Sequence, residues 1–451
     1  MLRDRDSSLS VFFEEHLARE PPLMENHIVF DASCNRPDGF VTHARVNMGT
    51  WSGGFEYGTS LWDALTIFLR DPVRGQENQL AMKFPTVNFM RLTNGVEYMG
   101  YQVHLPGEEA LIYLSFLTAF ANGYAQIHPS GGPSGKNCYL RWATKPGVGF
   151  GLATQSAMSH GITVSTTLFD QYVQGGSGGA TLCVYPLPRV LTFSPVKIAG
   201  NYPISIAARK FESEWNRLVR AEIEKAGAHS AKADELRKMI CNESVFKNAK
   251  GELYEASGEN IAVVMGKKVY TPGPEHGCLP GTTMATFILI MERLGYEIVR
   301  TPLTDEHLKA ADWGVVTGNA ATFLLWKAVV YPERGGEVIE VSKRNTEDFE
   351  KARDIYMGML NGEERLDFPR IVEYGHAWVP QEKRAEMEAF GVRSREDPQQ
   401  YRLPEPREFS VADGFRERSD KLKVLYGRLL RLPPRPVPQA PTAHLRPAKT
   451  T

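Results

Sequence analysis

Cysteine is scarce and unpatterned in this chain. Five residues in 451, at positions 34, 138, 183, 241 and 278, make an odd number with no C-x-x-C pair. That excludes a disulfide framework and a cysteine-built zinc site, and fits reduced thiols in a cytoplasm. The eleven histidines include no H-x-x-x-H or H-E-x-x-H pair, so no metal is expected. An excess of one charge is also lacking: 52 Lys and Arg stand against 53 Asp and Glu, for a net charge of −1. Neither nucleic acid nor an anionic membrane is an expected partner. The opening Met1-Leu-Arg-Asp-Arg-Asp6 has no apolar run behind it, so no secretory signal is expected. The most apolar stretch, Ala110 to Ala125, is too short to span a bilayer and carries Ser115, Thr118 and Asn122. It reads as a buried helix.

What is present is enough for large cores. Hydrophobic residues make up 42% of the chain and aromatics 10%, and the length suggests about three domains. Residues 1–26 read as a charged arm. Beyond Ile28, strands and turns alternate, with helices expected over 60–69 and 108–127. Gly147-Val-Gly-Phe-Gly151 reads as the start of an interdomain linker. A second set of strands begins near Ile162, leads to Lys197 and alternates with helices to about Tyr356. Within it, residues 213–250 carry Trp215, Leu218, Val219 and Ile223 at helical spacing, which predicts a surface helical hairpin. After Pro380, residues 381–390 and 414–432 read as charged amphipathic helices. The Pro-rich 432–451 reads as disordered. This tail either packs over the preceding domain or docks a partner.

The chemistry concentrates in three segments. Glu255-Ala-Ser-Gly-Glu-Asn260 puts a carboxylate ahead of a tight turn, and Leu279-Pro-Gly-Thr-Thr283 follows nineteen residues later. In the second segment a glycine and two hydroxyls open a helix expected over 284–294. Free N–H groups and Thr hydroxyls at a helix start cradle a phosphate. Upstream, Pro195-Val-Lys-Ile-Ala-Gly-Asn-Tyr202 sets a lysine between a broken strand and a helix start. Lysine, carboxylate and phosphate cradle are what a pyridoxal 5'-phosphate (PLP) site needs. Two other glycine-rich stretches fail on spacing. Ser130 to Asn137 lacks the first Gly and final Ser or Thr of a Walker A loop, and Gly147-x-Gly-x-Gly151 is not G-x-G-x-x-G.

In this order the motifs resemble the class IV (branched-chain and D-amino-acid) aminotransferases, over roughly residues 28–379. Phe55 to Trp62 looks like the family's Tyr-Gly-x-x-x-Phe-Glu stretch, and Asn88-Phe-Met-Arg-Leu92 is similar to its His-x-x-Arg-Leu. Tyr139-Leu-Arg141 matches Tyr-Ile-Arg, and Thr317-Gly-Asn-Ala-Ala321 matches Ser/Thr-Gly-Thr-Ala-Ala.

The resemblance implies an α+β, two-domain fold with PLP between a small and a large domain. The expected boundaries are 1–160, 161–379 (with a helical insertion at 213–250) and a C-terminal extension at 380–451. Lys197 is implied to form the Schiff base with PLP, Glu255 to face the pyridine nitrogen and Tyr202 to bond the ring oxygen. Arg91, Gly281, Thr282, Thr283, Gly318 and Asn319 are implied to hold the phosphate. Tyr57, Tyr139, Arg141 and Ala320 are implied to face the substrate.

The function so implied is amino transfer between an amino acid and a 2-oxo acid, by a cytoplasmic homodimer. A lyase on the same scaffold, as in aminodeoxychorismate lyases, and a non-catalytic descendant are the alternatives. Ala262, Thr282, Met284 and the run Trp62-Asp-Ala-Leu-Thr66 depart from the family pattern. They leave cofactor anchoring mostly intact and rewrite the substrate walls, which points to an unusual substrate or a changed reaction outcome.

Overall fold

The computed structural model describes residues 28–31, 40–42, 58–70, 79–103, 105–122, 137–146, 159–169, 179–189, 195–319, 322–342, 344–361, 376–378 and 415–434. Tyr57, Ala320, the arm at 1–26, the linker at 147–151, the helix expected over 381–390 and the tail past 434 lie outside them.

The first sheet holds β1 (Ile28–Asp31), β2 (Phe40–Thr42), β3 (Trp62–Arg70), β4 (Gln79–Lys83), β6 (Asn137–Pro146) and β7 (Ser159–Phe169), with β5 (Gln102–Val103) beside β7. Its order, β4-β3-β6-β7-β1-β2, is antiparallel throughout. Helices α1 (Pro85–Met99) and α2 (Glu108–Ala121) complete this half. The apolar stretch seen in the sequence is α2, buried from Leu111 to Ala121 against Leu65, Leu140, Trp142 and Val164. Its polar residues bond inward: Ser115 Oγ donates to Leu111 O at 2.6 Å, and Trp142 Nε1 donates to Ser115 Oγ at 2.7 Å. Among the described residues no helix is long and apolar enough to cross a membrane.

The helix expected over 60–69 is instead the central strand β3. Residues 63–67 are all buried, so alternation is lost, and such a run looks alike as strand or helix. Pairing decides it: β3 runs in register with β6 from Trp62 opposite Ala143 to Ile67 opposite Cys138.

The second sheet contains β8 (Ala180–Val184), β9 (Glu243–Lys247), β10 (Leu253–Ala256), β11 (Asn260–Met265), β12 (Lys268–Thr271), β13 (Glu297–Arg300), β14 (Trp313–Gly318), β15 (Thr322–Tyr331) and β16 (Glu337–Glu340). The order is β10-β9-β8-β15-β14-β11-β12-β13, with β16 on β15. An extra pairing of β10 with β11, at Glu255 and Asn260, closes the strands from β10 to β11 into a ring. Leu182, Val245, Ile261, Val263, Val316 and Trp326 form one core of this half.

Its helices are α3 (Pro203–Ala226), α4 (Ala231–Arg237), α5 (Thr282–Arg293), α6 (Asp305–Ala310) and α7 (Glu347–Asn361). The stretch 213–250 holds a pair of helices joined by a short turn and packed on each other, but it also reaches into the sheet. It takes in most of α3, all of α4 and the sheet strand β9. Asn216 pins α3 to the segment entering β9 by exchanging bonds of 2.9 and 2.8 Å with the Cys241 backbone.

Chain order and sheet membership diverge at two places. Strand β7 runs past Ile162 yet belongs to the first sheet, and β17 (His376–Trp378) returns to pair with β4. The last helix among the described residues, α8 (Phe415–Gly427), falls within the expected 414–432.

Candidate active site

Lys197 sits in a segment stitched to the entry of β3. Trp62 N donates to Lys197 O at 3.0 Å, Ala199 N to Ser60 O at 2.8 Å and Gly200 N to Gly58 O at 2.7 Å. Gly58 has φ +62, and a Cβ there would lie 2.9 Å from Gly200 Cα, so no larger residue fits the stitch. A 3-10 turn at Ala199–Asn201 then brings Tyr202 back over the lysine. Lys197 Nζ donates to the Tyr202 hydroxyl at 2.7 Å and lies 4.0 Å from the Trp62 ring centroid. Burial first, and then the Arg91 cation, lower the Lys197 pKa to about 7. Burial and the Glu255 carboxylate raise that of Tyr202, so its hydroxyl keeps its proton.

Glu255, buried at the end of β10, accepts from Leu279 N at 3.0 Å and from Arg189 at 2.7 Å. Burial raises its carboxyl pKa, opposed by Arg189, the Leu279 amide and Lys197. Two bonds leave a carboxylate with lone pairs to spare. A small cavity lined by Tyr202, Glu255 and Leu279 lies beside it.

The cradle is built from α5, α1 and the β14–β15 turn. Gly281 caps α5, and the next residues, Thr282 and Thr283, are its first. Helix geometry leaves their amides without intrahelical acceptors. Their hydroxyls donate to Asn319 Oδ1 at 3.4 and 3.0 Å, while Asn319 Nδ2 donates to Ala64 O. Arg91 faces the same space, held by Asp63 through bonds of 2.8 Å from Nε and 2.7 Å from NH2, and it donates to Pro280 O at 3.2 Å. Asn88, on the same face of α1, also donates to Asp63, at 2.8 Å.

Arg91, Lys197, Tyr202, Gly281, Thr282, Thr283, Gly318 and Asn319 border one cavity of about 670 Å³, while Glu255 lines the small cavity beside it. Tyr139 and Arg141 join them from β6. The Arg141 guanidinium is exposed and stacks 4.4 Å from the Trp62 ring centroid. It makes no ion pair with another described residue. Ser205 and Thr317 also line the cavity, and their hydroxyls are buried without a partner among the described residues. Open helix-start amides and Arg91 for a phosphate, an amine at Lys197 and a carboxylate at Glu255 fit PLP.

Sequence reasoning missed Asp63, Arg189 and Lys83. Asp63 stood in the run that departs from the family pattern, and its single carboxylate gave no local sign of a partner 28 residues away. Arg189 lies in a Pro-flanked stretch without periodicity. Lys83, at the end of β4, is buried, donates to Asn319 O at 3.3 Å and lies 5.0 Å from the Tyr356 ring centroid. Burial lowers its pKa to about 7.

Residues 223–325 match the amino-transferase class IV family model. A "Probable branched-chain-amino-acid aminotransferase" of Staphylococcus aureus is 24% identical over 344 residues, spanning 71% of this chain and 82% of its own. The branched-chain aminotransferase of the archaeon Thermoproteus uzoniensis, solved with norvaline, is similar in structure with a TM-score of 0.56 at 22% identity. It covers 75% of this chain and 96% of its own. The PLP form of the Thermobaculum terrenum branched-chain aminotransferase gives a TM-score of 0.56 at 13% identity, covering 79% and 100%. The class IV resemblance read from the sequence, its α+β fold, its enzyme class and the cofactor of that class are borne out.

Proposed function

We propose that this chain transfers an amino group between an amino acid and a 2-oxo acid, with Lys197 as the residue that bonds the cofactor. The observation carrying this reading is the Lys197 amine, with a pKa of about 7, in the same cavity as the helix-start cradle and beside a buried carboxylate. PLP, when bound, supplies an aldehyde for amine condensation and a ring that draws electrons from the substrate Cα.

The rest falls to the protein. At neutral pH a large fraction of Lys197 is the free amine that condensation requires. Once displaced by a substrate amine, the same Nζ takes the proton from Cα and later returns it. Tyr202 keeps its proton and orients Nζ. Glu255, its charge supported by Arg189, holds a proton on the ring nitrogen. The Thr282 and Thr283 amides and Arg91 bind the phosphate, with Gly281, Gly318 and Asn319 shaping the cradle. Arg141, stacked on Trp62 beside Tyr139, offers its fork to a substrate carboxylate. Tyr57 and Ala320 are proposed on the resemblance alone.

Ile206 borders the cavity while 71% exposed, which supports a homodimer in which a second copy covers this wall. Four buried free thiols among the described residues suit a cytoplasmic setting.

The test is the visible spectrum of the PLP-loaded protein. L-glutamate should bleach the cofactor band, and a 2-oxo acid should restore it. Ammonia release without any oxo-acid acceptor would favour a lyase, and no band after PLP addition would remove the enzyme reading.

A further inference from the structure

Two halves of the cradle come from different parts of the chain. Arg91 rides on α1, which follows the first sheet's β4, whereas Thr282 and Thr283 open α5 of the second. A phosphate site works only if its donors stay within about 0.5 Å of their required geometry. Helix α8 lies across both.

Towards α1, Ser419 Oγ donates to Glu108, the first residue of α2, at 2.9 Å, and Lys423 pairs with the same carboxylate at 3.1 Å. Glu108 in turn accepts from Thr86, in the first turn of α1, at 2.5 Å. Just past α8, Leu430 O accepts from Asn94 of α1 at 3.4 Å. On the α5 side, the Tyr426 hydroxyl lies 2.9 Å from Thr286 Oγ1, and Thr286 Oγ1 donates to Thr282 O at 3.0 Å. With the Thr286 proton committed to Thr282 O, Tyr426 is the donor to Thr286. A continuous hydrogen-bonded path therefore runs from α8 to the first residue of the cradle helix. Leu422, Tyr426 and Leu430 are buried with Phe84, Val87 and Phe287 in one core.

We propose that α8 is a strap that fixes the spacing of α1 and α5, with Tyr426 as its positioning residue for the phosphate cradle. The inference rests on reading the site as a PLP site. It differs from simple packing in its target, because a strap acting on the cradle affects ligands only through their phosphate.

The test compares PLP with pyridoxal, which lacks the phosphate, by titration of the full-length apoprotein. Tyr426→Phe should weaken PLP by roughly 2- to 30-fold, the range seen for residues that couple to a site without touching the ligand, and leave pyridoxal unchanged. Ser419→Ala, at the other end of the strap, should act in the same direction. Equal losses for both ligands, or no loss of PLP affinity in either variant, would overturn the strap. Wild-type protein that binds PLP no better than pyridoxal would overturn the site reading itself, and the strap with it.

Discussion

The Asp63 carboxylate holds Arg91 through two parallel bonds of 2.8 and 2.7 Å, with both side chains buried. Asp63 thus sets the plane of the guanidinium and leaves the rest of its fork facing the cavity. Residues 28 apart in sequence make this pair because β3 and α1 pack together.

Removing one member of a buried pair leaves the other charge uncompensated. Asp63→Ala should lower the unfolding free energy by roughly 3–5 kcal/mol, read from the urea midpoint of the apoprotein. An unchanged midpoint would mean that Arg91 is anchored elsewhere.

Arg189 pairs with Glu255 at 2.7 Å, with both side chains buried. Without it, burial would raise the Glu255 carboxyl further, and in the role proposed for Glu255 the cofactor's ring nitrogen would lose its anionic partner as pH falls. Arg189→Leu should cut turnover by about 10- to 100-fold, the range for losing a bond to a charged group. The acid limb of the pH profile should also move to higher pH. Turnover that drops with the acid limb unmoved would contradict this role.

Lys83 makes a stability prediction. Its pKa of about 7 in the fold compares with 10.5 unperturbed, so between these values the unfolded chain holds one more proton. Stability contributed by the neutral amine is therefore present above pH 10.5, is lost as pH falls towards 7 and is constant below. Lys83→Met should remove this slope, up to about 1.4 kcal/mol per pH unit within the window. Wild type and variant with parallel pH profiles would show that Lys83 titrates normally.

Much of the candidate site's geometry was legible because it is local. Lys197 and Tyr202 are five residues apart and meet through one tight turn, and Gly281-Thr-Thr283 announces the start of α5 by its residue types. Order along the chain was enough to suggest the fold. What was not legible depends on partners far away. β3 reads as a helix because burial on both faces erases its alternation. Asp63 and Arg189 disclose nothing until α1 and β10 approach them. The amphipathic pattern of α8 indicated a helix, but its place across α1 and α5 comes from tertiary contacts such as Tyr426 with Thr286.

In the function proposed, Lys197 and no other lysine bonds the cofactor. The direct measurement is borohydride reduction of the PLP-loaded protein, followed by proteolysis and mass spectrometry of the peptides. One phosphopyridoxyl label per chain is expected, on the peptide containing Lys197, and none in Lys197→Ala. A label on Lys83 or any other lysine in the wild type, or full labelling of the Lys197→Ala variant, would contradict it.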